Sequence, residues 1–168
     1  MKRFCLLYEQ LDRAPGTRAK VAALADYFRA ADPADAAWAL QCLLGKQRRR
    51  LITGRRLREI ALESSALPPW LFDECYRHVG DTAETIALLW GEGAGEPTGE
   101  SRSGEPLHVW MGQVLPALAA LEGLEQAGAV QRLWNGLAPG ELLVLNKLLT
   151  GGFRVGVAQG LVLRALAA

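Results

Sequence analysis

Apolar side chains in this sequence recur at spacings of three and four residues, whereas the alternation typical of β-strands is nearly absent. The helical spacing is clear in three groups, Val21, Leu24, Tyr27 and Phe28, then Leu40, Leu43 and Leu44, then Leu71, Phe72, Cys75 and Val79. Because an α-helix turns once in about 3.6 residues, side chains at these spacings lie on one face of a helix and can bury it together. The pattern predicts an all-α fold of about nine or ten helices.

Residues that favour helix ends agree with this periodicity. Thr17, Asp32 and Asp81 are suited to cap helix N-termini, because their side-chain oxygens can accept from free main-chain N–H groups. Glu84 lies three residues after Asp81 and completes a capping pair. Gly45 is suited to end the helix that Asp32 begins.

The helices are predicted to form a single domain in two groups. A chain of 168 residues, half of them hydrophobic, has the length and apolar content of one domain. Helices are predicted in residues 3–90 and 107–168, and Pro116 should kink or split the first helix of the second group. Residues 91–106 contain no large apolar side chain and are predicted to form a flexible linker.

Several classes of protein are excluded by what the sequence lacks. No apolar run approaches the roughly 18 residues of a membrane span, so we expect a cytoplasmic protein that does not contact a membrane. Cys5, Cys42 and Cys75 form no metal-binding or disulfide pattern and are predicted to be buried, reduced thiols. His78 and His108 lie 30 residues apart, so no metal site is predicted and both are taken as structural or surface residues.

Positive charge is concentrated in the first third of the chain. The net charge is only +1, but residues 1–59 carry 13 Lys and Arg against 6 Asp and Glu, and residues 60–168 carry 6 against 12. Seven cations fall within 13 residues, at Lys46, Arg48, Arg49, Arg50, Arg55, Arg56 and Arg58. Thr53 and Gly54 predict a turn into a helix within this run, where free amides add anion-binding capacity. A solvated loop and a surface that faces a polyanion both remain open.

The segment from Lys147 to Val157 reads KLLTGGFRVGV and predicts a helix, a glycine bend and a second helix. Arg154 should project from the bend, the Thr150 hydroxyl can donate, and glycines let main-chain amides approach a phosphate. An ordinary turn is the alternative, because glycine commonly ends helices. The functional interpretation is a phosphate clamp.

These residues resemble a known family. The sequence NKLLTGGFRVGV at 146–157, followed by Gln159, is similar to the closing signature of the N-terminal DNA-binding domain of ATP-dependent DNA ligases. TRAKVAALADYF at 17–28, residues 38–51 and residues 70–89 resemble the bacterial members of that family. The resemblance covers nearly the whole chain and implies one all-helical DNA-binding domain over residues 1–168.

The resemblance also implies a mode of binding and a set of contacts. The family's domain lies across the minor groove of nicked duplex DNA and contacts mostly sugar and phosphate, without reading sequence. By position, the first candidates for DNA contact are Lys147, Thr150, Gly152, Arg154, Gly156 and Gln159. The second candidates, supported mainly by charge, are Thr17, Lys20, Arg48, Arg49, Arg50, Thr53 and Arg55.

The catalytic half of such a ligase is predicted to be absent. The family's nucleophile is the lysine of a Lys-x-Asp-Gly motif, and none of the four lysines here is followed by that pattern. We therefore expect no catalytic residue and no cofactor in this chain, whereas ATP and Mg²⁺ are expected for a covalently linked catalytic domain. The stop soon after the signature favours a domain cut from a longer protein. We expect a monomer that binds nicked double-stranded DNA near the bacterial nucleoid, in DNA repair, recombination or replication.

Two competing functions follow from the same residues. A helical adaptor could bind another protein through Trp90, Trp110 and Trp134 if these side chains were exposed, although large aromatics at helical spacing usually pack inward. An enzyme of an unfamiliar kind would need a group of converging reactive side chains, and no such group is visible in the sequence.

Overall fold

The computed structural model describes residues 1–46, 50–93 and 102–168, and these residues are predominantly helical. The helices are α1 (Lys2–Arg13), α2 (Thr17–Ala30), α3 (Pro33–Leu43), α4 (Gly54–Glu63), α5 (Pro69–Val79), α6 (Thr82–Gly93), α7 (Leu107–Val109), α8 (Leu115–Ala119), α9 (Gly123–Asn135), α10 (Pro139–Thr150) and α11 (Gln159–Leu166). A π-helical turn, Trp110–Val114, joins α7 and α8 into one segment, so the described part of the chain contains ten helices and no strand. The prediction of an all-α fold with nine or ten helices is confirmed.

The centre of the fold is α10, most of whose residues are buried. Its buried apolar side chains are Leu142, Val144, Leu145, Leu148 and Leu149. A helix with apolar side chains over most of its surface belongs in a core. It packs against α6 and α1, while α11 packs on α2 and α3, and α4 and α5 pack on α6.

Two of the three predicted caps are present. The side chain of Asp32 accepts from the main-chain N–H of Ala34 at 2.9 Å, and Asp81 accepts from that of Glu84 at 2.9 Å. Each bond satisfies one of the N–H groups that a helix start leaves without a partner inside the helix.

The third predicted cap, Thr17, is wrong by one position. Gly16 is the N-cap of α2, and its carbonyl already accepts the helical bond from the N–H of Lys20. Thr17 is the first residue of the helix itself, and no capping bond comes from a side chain. Gly16 has an extended backbone with φ of −171°, so the chain turns into the helix one residue earlier than the hydroxyl suggested.

Pro116 interrupts its helix, as predicted, and the interruption takes the form of a π turn. The N–H of Leu115 donates to the carbonyl of Trp110, five residues earlier. A proline inside an α-helix lacks the N–H donor and its ring clashes with the carbonyl four residues before it. The wider turn changes the hydrogen-bond register just before the proline, which stands as the second residue of α8.

The predicted linker at 91–106 is only partly described. The helix α6 continues into it as far as Gly93, and Arg102–Gly104 forms a single 3₁₀ turn. Residues 94–101 lie outside the described part of the chain, so the flexible linker stays a prediction.

The cysteines and one histidine have structural roles. Cys5 and Cys42 are buried, Cys75 is partly buried, and all three are free thiols. Burial raises the pKa of Cys5 and of Cys42 to about 12, so both remain protonated. His108 lies with Nδ1 2.7 Å from Oδ1 of Asp35 and thereby connects α7 to α3.

Candidate nucleic-acid interface

The helix α10 ends at a glycine pair whose main-chain N–H groups are already used inside the protein. Gly151 has a left-handed φ of 66°, and its N–H donates to the carbonyl of Leu148 at 3.3 Å. The N–H of Gly152 donates to the carbonyl of Lys147 at 3.0 Å. The sequence predicts that such amides face a phosphate, but this pair completes the C-terminus of α10 instead.

Thr150 also directs its hydroxyl inward. Its Oγ1 lies 2.8 Å from the carbonyl oxygen of Asn146, to which it donates. A Cβ on Gly152 would lie only 3.3 Å from the same Oγ1, so a side chain there would crowd the hydroxyl. In this rotamer the hydroxyl can accept from a ligand but has no proton left to donate to a phosphate.

The chain after the glycine pair is extended, and its side chains alternate between the core and solvent. Phe153 is buried and stacks on Phe4 of α1, with ring centroids 5.2 Å apart, and Val155 is also buried. Arg154 and Gly156 fall between them and are exposed. In extended backbone successive side chains point to opposite sides, so anchoring the two apolar residues forces Arg154 outward. The predicted projection of Arg154 is confirmed.

The first turn of α2 touches this extended segment. The Nζ atom of Lys20 donates to the carbonyl of Gly156 at 3.1 Å. Gly156 has a left-handed φ of 59°, and a Cβ there would lie 3.3 Å from the ammonium of Lys20. The contact places Thr17 and Lys20 beside the segment that leads into Gln159, the first residue of α11.

The basic run is hydrogen-bonded through its main chain to the same end of α10. The carbonyl of Leu149 accepts from the N–H groups of both Leu51 and Ile52, at 2.9 and 3.0 Å. Arg50 directly precedes this double contact and is exposed. Arg48 and Arg49 lie outside the described residues, so their predicted role stays a prediction. The two basic segments of the sequence, which are far apart along the chain, therefore meet at the end of α10.

The run continues into α4, where its arginines divide into two kinds. The hydroxyl of Thr53 accepts from the N–H of Arg56 at 3.1 Å and caps α4, as predicted for this turn. The side chain of Arg55 is 90% exposed, although its Nε lies 3.4 Å from a carboxylate oxygen of Glu59. Arg58 instead bonds to Asp73 at 2.6 Å, so it connects α4 to α5 and is not free for a ligand.

Lys147 has a partner that the sequence did not indicate. Its Nζ lies 2.9 Å from Oδ2 of Asp81, and its side chain is only 11% exposed. Partial burial tends to raise the pKa of Asp81, but the hydrogen bonds from Lys147 and from the main chain of Glu84 outweigh it and lower the pKa. Lys147 thus connects the last turn of α10 to the start of α6. Any DNA contact by Lys147 has to compete with this ion pair.

The starts of two helices consequently lie at the C-terminal end of α10, that of α4 through the Leu51 and Ile52 contacts and that of α6 through Asp81. The first turn of α2 contacts, through Lys20, the segment that leads from α10 to α11. Helix N-termini carry partial positive charge and N–H groups without helical partners, which suits them to anions. The predicted residues gathered here are Thr17, Lys20, Arg50, Thr53, Arg55, Thr150, Gly152, Arg154, Gly156 and Gln159.

The tryptophans proposed as anchors for an adaptor are buried. Trp90, Trp110 and Trp134 are 8%, 0% and 1% exposed, so they belong to the core and cannot anchor a partner. The indole N–H of Trp134 donates to Asn146 at 2.9 Å, which satisfies its polar atom within the interior. Trp70, at the start of α5, is 68% exposed. The helical periodicity of the sequence did not separate this exposed tryptophan from the buried ones.

Comparison with known families gives one match. The family described as DNA ligase N terminus matches residues 1–167, which is essentially the whole chain. The chain therefore belongs to the N-terminal domains of ATP-dependent DNA ligases. No curated protein matches it. Within the described residues, no helix is long and apolar enough to cross a membrane.

Proposed function

We propose that this domain holds nicked duplex DNA through sugar and phosphate contacts across the minor groove, largely independent of base sequence. In this role it presents the nick to a covalently linked adenylating domain during DNA repair. The adenylating domain would use ATP and Mg²⁺, and the domain described here would need no cofactor. Membership in the ligase family supports the proposal.

One observation carries the proposal beyond family membership. The carbonyl of Leu149 receives the N–H groups of Leu51 and Ile52, and this contact joins the basic run to the segment that displays Arg154. Charges on two separate surfaces could not act on one stretch of DNA backbone. Because both segments contact the same helix end, their charges can act together on one stretch of backbone.

Such a surface binds DNA mainly by releasing counterions. If about four to six phosphates are neutralised, the logarithm of the association constant should fall against the logarithm of salt concentration with a slope of about −3.5 to −5.5. The slope can be measured by fluorescence anisotropy with a labelled nicked duplex over a salt series. A slope near zero would contradict the proposal.

The variant Arg154→Ala tests the surface at an exposed cation that has no acidic partner among the described residues. We expect affinity for nicked duplex to fall about tenfold, as for a lost charge-assisted hydrogen bond, and the salt slope to shrink by about 1. The loss should be equal on duplexes of unrelated sequence, because a phosphate contact carries no base information. Arg132→Ala, which removes an exposed arginine from α9, is the matched control. Unequal losses on unrelated sequences, or equal losses in the two variants, would count against the proposal.

The separation of binding from chemistry can be tested directly. Because no lysine stands in a Lys-x-Asp-Gly sequence, the isolated chain should form no covalent adenylate with labelled ATP. It should nevertheless bind nicked DNA as a monomer, which sedimentation velocity of the complex can measure. Labelled protein after incubation with ATP would overturn this part of the proposal.

A further inference from the structure

A groove of about 590 Å³ follows α1 and is closed on its other sides by α6 and the N-terminal end of α10. On α1, the lining residues run from Lys2 to Arg13, the two ends of that helix. A helix of 12 residues is about 18 Å long, so the groove has the length of about three helical turns.

The walls of this groove expose apolar side chains. Leu6 of α1 is 58% exposed and Leu88 of α6 is 56% exposed, and Leu143 of α10 is half-buried between their helices. A single exposed leucine is ordinary, but leucines that share one groove form a continuous apolar surface. Such a surface is typical of a site that another molecule covers.

The groove also contains a buried carboxylate with an unused acceptor. Glu141 is 6% exposed, and its Oε2 accepts from the main-chain N–H of Ala138 at 3.3 Å. Its other oxygen, Oε1, is buried and has no hydrogen-bond partner among the described residues. Buried polar atoms almost always have a partner, so an unsatisfied carboxylate oxygen in a groove indicates a missing donor.

The charge around the groove has the opposite sign to that at the other end of α10. Glu9, Asp12 and Glu84 line it together with Glu141. These four carboxylates face two lining cations, Lys2 and Arg13, and Arg13 is already bonded to Glu9 at 2.8 Å. The excess of carboxylates repels a polyanion such as DNA and attracts a cationic partner.

We propose that this groove binds an amphipathic helix of a partner protein. The apolar stripe of that helix would lie against Leu6 and Leu88, and its Lys or Arg side chains would face the carboxylates of the acidic rim. An apolar stripe with basic flanks complements both features, and the length of α1 matches about three turns of the incoming helix. Among the described residues, the groove shares no lining residue with the surface proposed for DNA, so both ligands can bind at once.

The proposal can be tested with a fluorescent helical peptide of about 14 residues that carries leucine on one face and lysine on the other. Anisotropy would measure its binding to the full chain and to Leu88→Lys. We expect the variant to bind about tenfold or more weakly, because it removes buried apolar area and adds a like charge. Leu124→Lys is the matched control, since Leu124 is 85% exposed on α9 and does not line the groove. Glu141→Gln should also weaken binding while leaving Leu88 in place.

Other outcomes would overturn the assignment. Equal losses in Leu88→Lys and Leu124→Lys would mean general charge attraction, and equal binding of a peptide with glutamate in place of lysine would remove the role of the acidic rim. Amide chemical shifts should change along α1, α6 and the start of α10, and changes elsewhere would contradict the site. Self-association that Leu88→Lys abolishes would assign the groove to a second copy of the chain. Affinity for nicked DNA, measured in the same samples, should be unchanged, which keeps this test independent of the proposed function.

Discussion

The two ends of α10 carry opposite chemistry, although one helix of 12 residues separates them. The C-terminal end lies near the starts of α4 and α6 and near Lys20 and Arg154, whereas the N-terminal end lies in a groove with carboxylates and exposed leucines. Part of this difference in charge between the two ends is favoured by α10 itself. A helix is stabilised by anions near its N-terminus and by cations near its C-terminus, and Glu141 and Lys147 occupy those places.

At both ends of α10, residues that stabilise the helix also contribute charge to a candidate binding surface. Glu141 complements the helix start and adds a carboxylate to the lining of the groove. Lys147 complements the helix end but is held by Asp81, so the cations left for a ligand at that end are the exposed ones around it. The two ends should therefore respond very differently to substitution.

The largest effect on stability is expected at Phe153, which anchors the extended segment to the core. Phe153→Ala removes a buried ring that stacks on Phe4 and packs at a tilt against Tyr8, and it should lower the free energy of unfolding by about 3 kcal/mol. Affinity for nicked DNA should fall as well, because Arg154 is held outward by this anchor. Urea denaturation measures the first effect, and Phe153→Leu, which keeps most of the apolar volume, should lose much less. Normal DNA binding by a folded Phe153→Ala variant would contradict the role of Phe153 in positioning Arg154 for DNA.

A pair of glycine substitutions compares the two ends of α10 directly. Gly151→Ala places a side chain at a left-handed φ of 66° and should cost about 1 to 2 kcal/mol of stability. Gly140→Ala lies in the first turn, where a Cβ would meet nothing within 4 Å, and should gain up to about 1 kcal/mol. Thermal and urea denaturation of both variants measure the contrast. Effects of the same sign would contradict it.

The ion pair between Lys147 and Asp81 should make stability depend on pH at the C-terminal end. The pKa of Asp81 is below its ordinary value of 3.8, so its contribution is present above that value and is lost as pH falls through the lowered pKa. Asp81→Asn should therefore cost about 1 kcal/mol at neutral pH, allowing for partial exposure, and progressively less below about pH 4. Asp73→Asn is the control, because that carboxylate is 56% exposed and pairs with Arg58 at the surface. A constant difference across the pH range would exclude the charge as the cause.

The smallest effect is expected on DNA affinity when a charge is removed at the acidic, N-terminal end of α10. Glu141 lies nine residues before Thr150, or about 13 Å along the helix, which exceeds the screening length of about 8 Å at physiological salt. Glu141→Gln should change affinity for nicked DNA by less than about twofold, against about tenfold for Arg154→Ala. Anisotropy at physiological salt measures both. A large gain in DNA affinity would mean that the two ends are not electrostatically separate.

Local features of this fold could be predicted from the sequence because neighbouring residues determine them. The helical periodicity, the caps at Asp32 and Asp81 and the break at Pro116 all depend on residues within one or two turns. The outward position of Arg154 followed from its place in a glycine bend. Thr17 failed as a cap because the preceding glycine could begin the helix just as well.

Features that depend on distant parts of the chain could not be predicted. The partner of Lys147 lies 66 residues away, and no local pattern links it to Asp81. The groove requires three helices from separate parts of the sequence, so its leucines looked like ordinary members of amphipathic helices. The inward donation by Thr150 and the use of the glycine amides depend on how α10 ends, which composition does not specify.

The stacking of Phe153 on Phe4 has a consequence for the order of events during synthesis. Almost the whole sequence is translated between these two rings, so the first helix leaves the ribosome long before its aromatic neighbour exists. Contacts between such distant residues form late in folding. A nascent chain therefore cannot place Arg154 in its final position before nearly the whole domain has been made, so the surface proposed for DNA is completed late in synthesis.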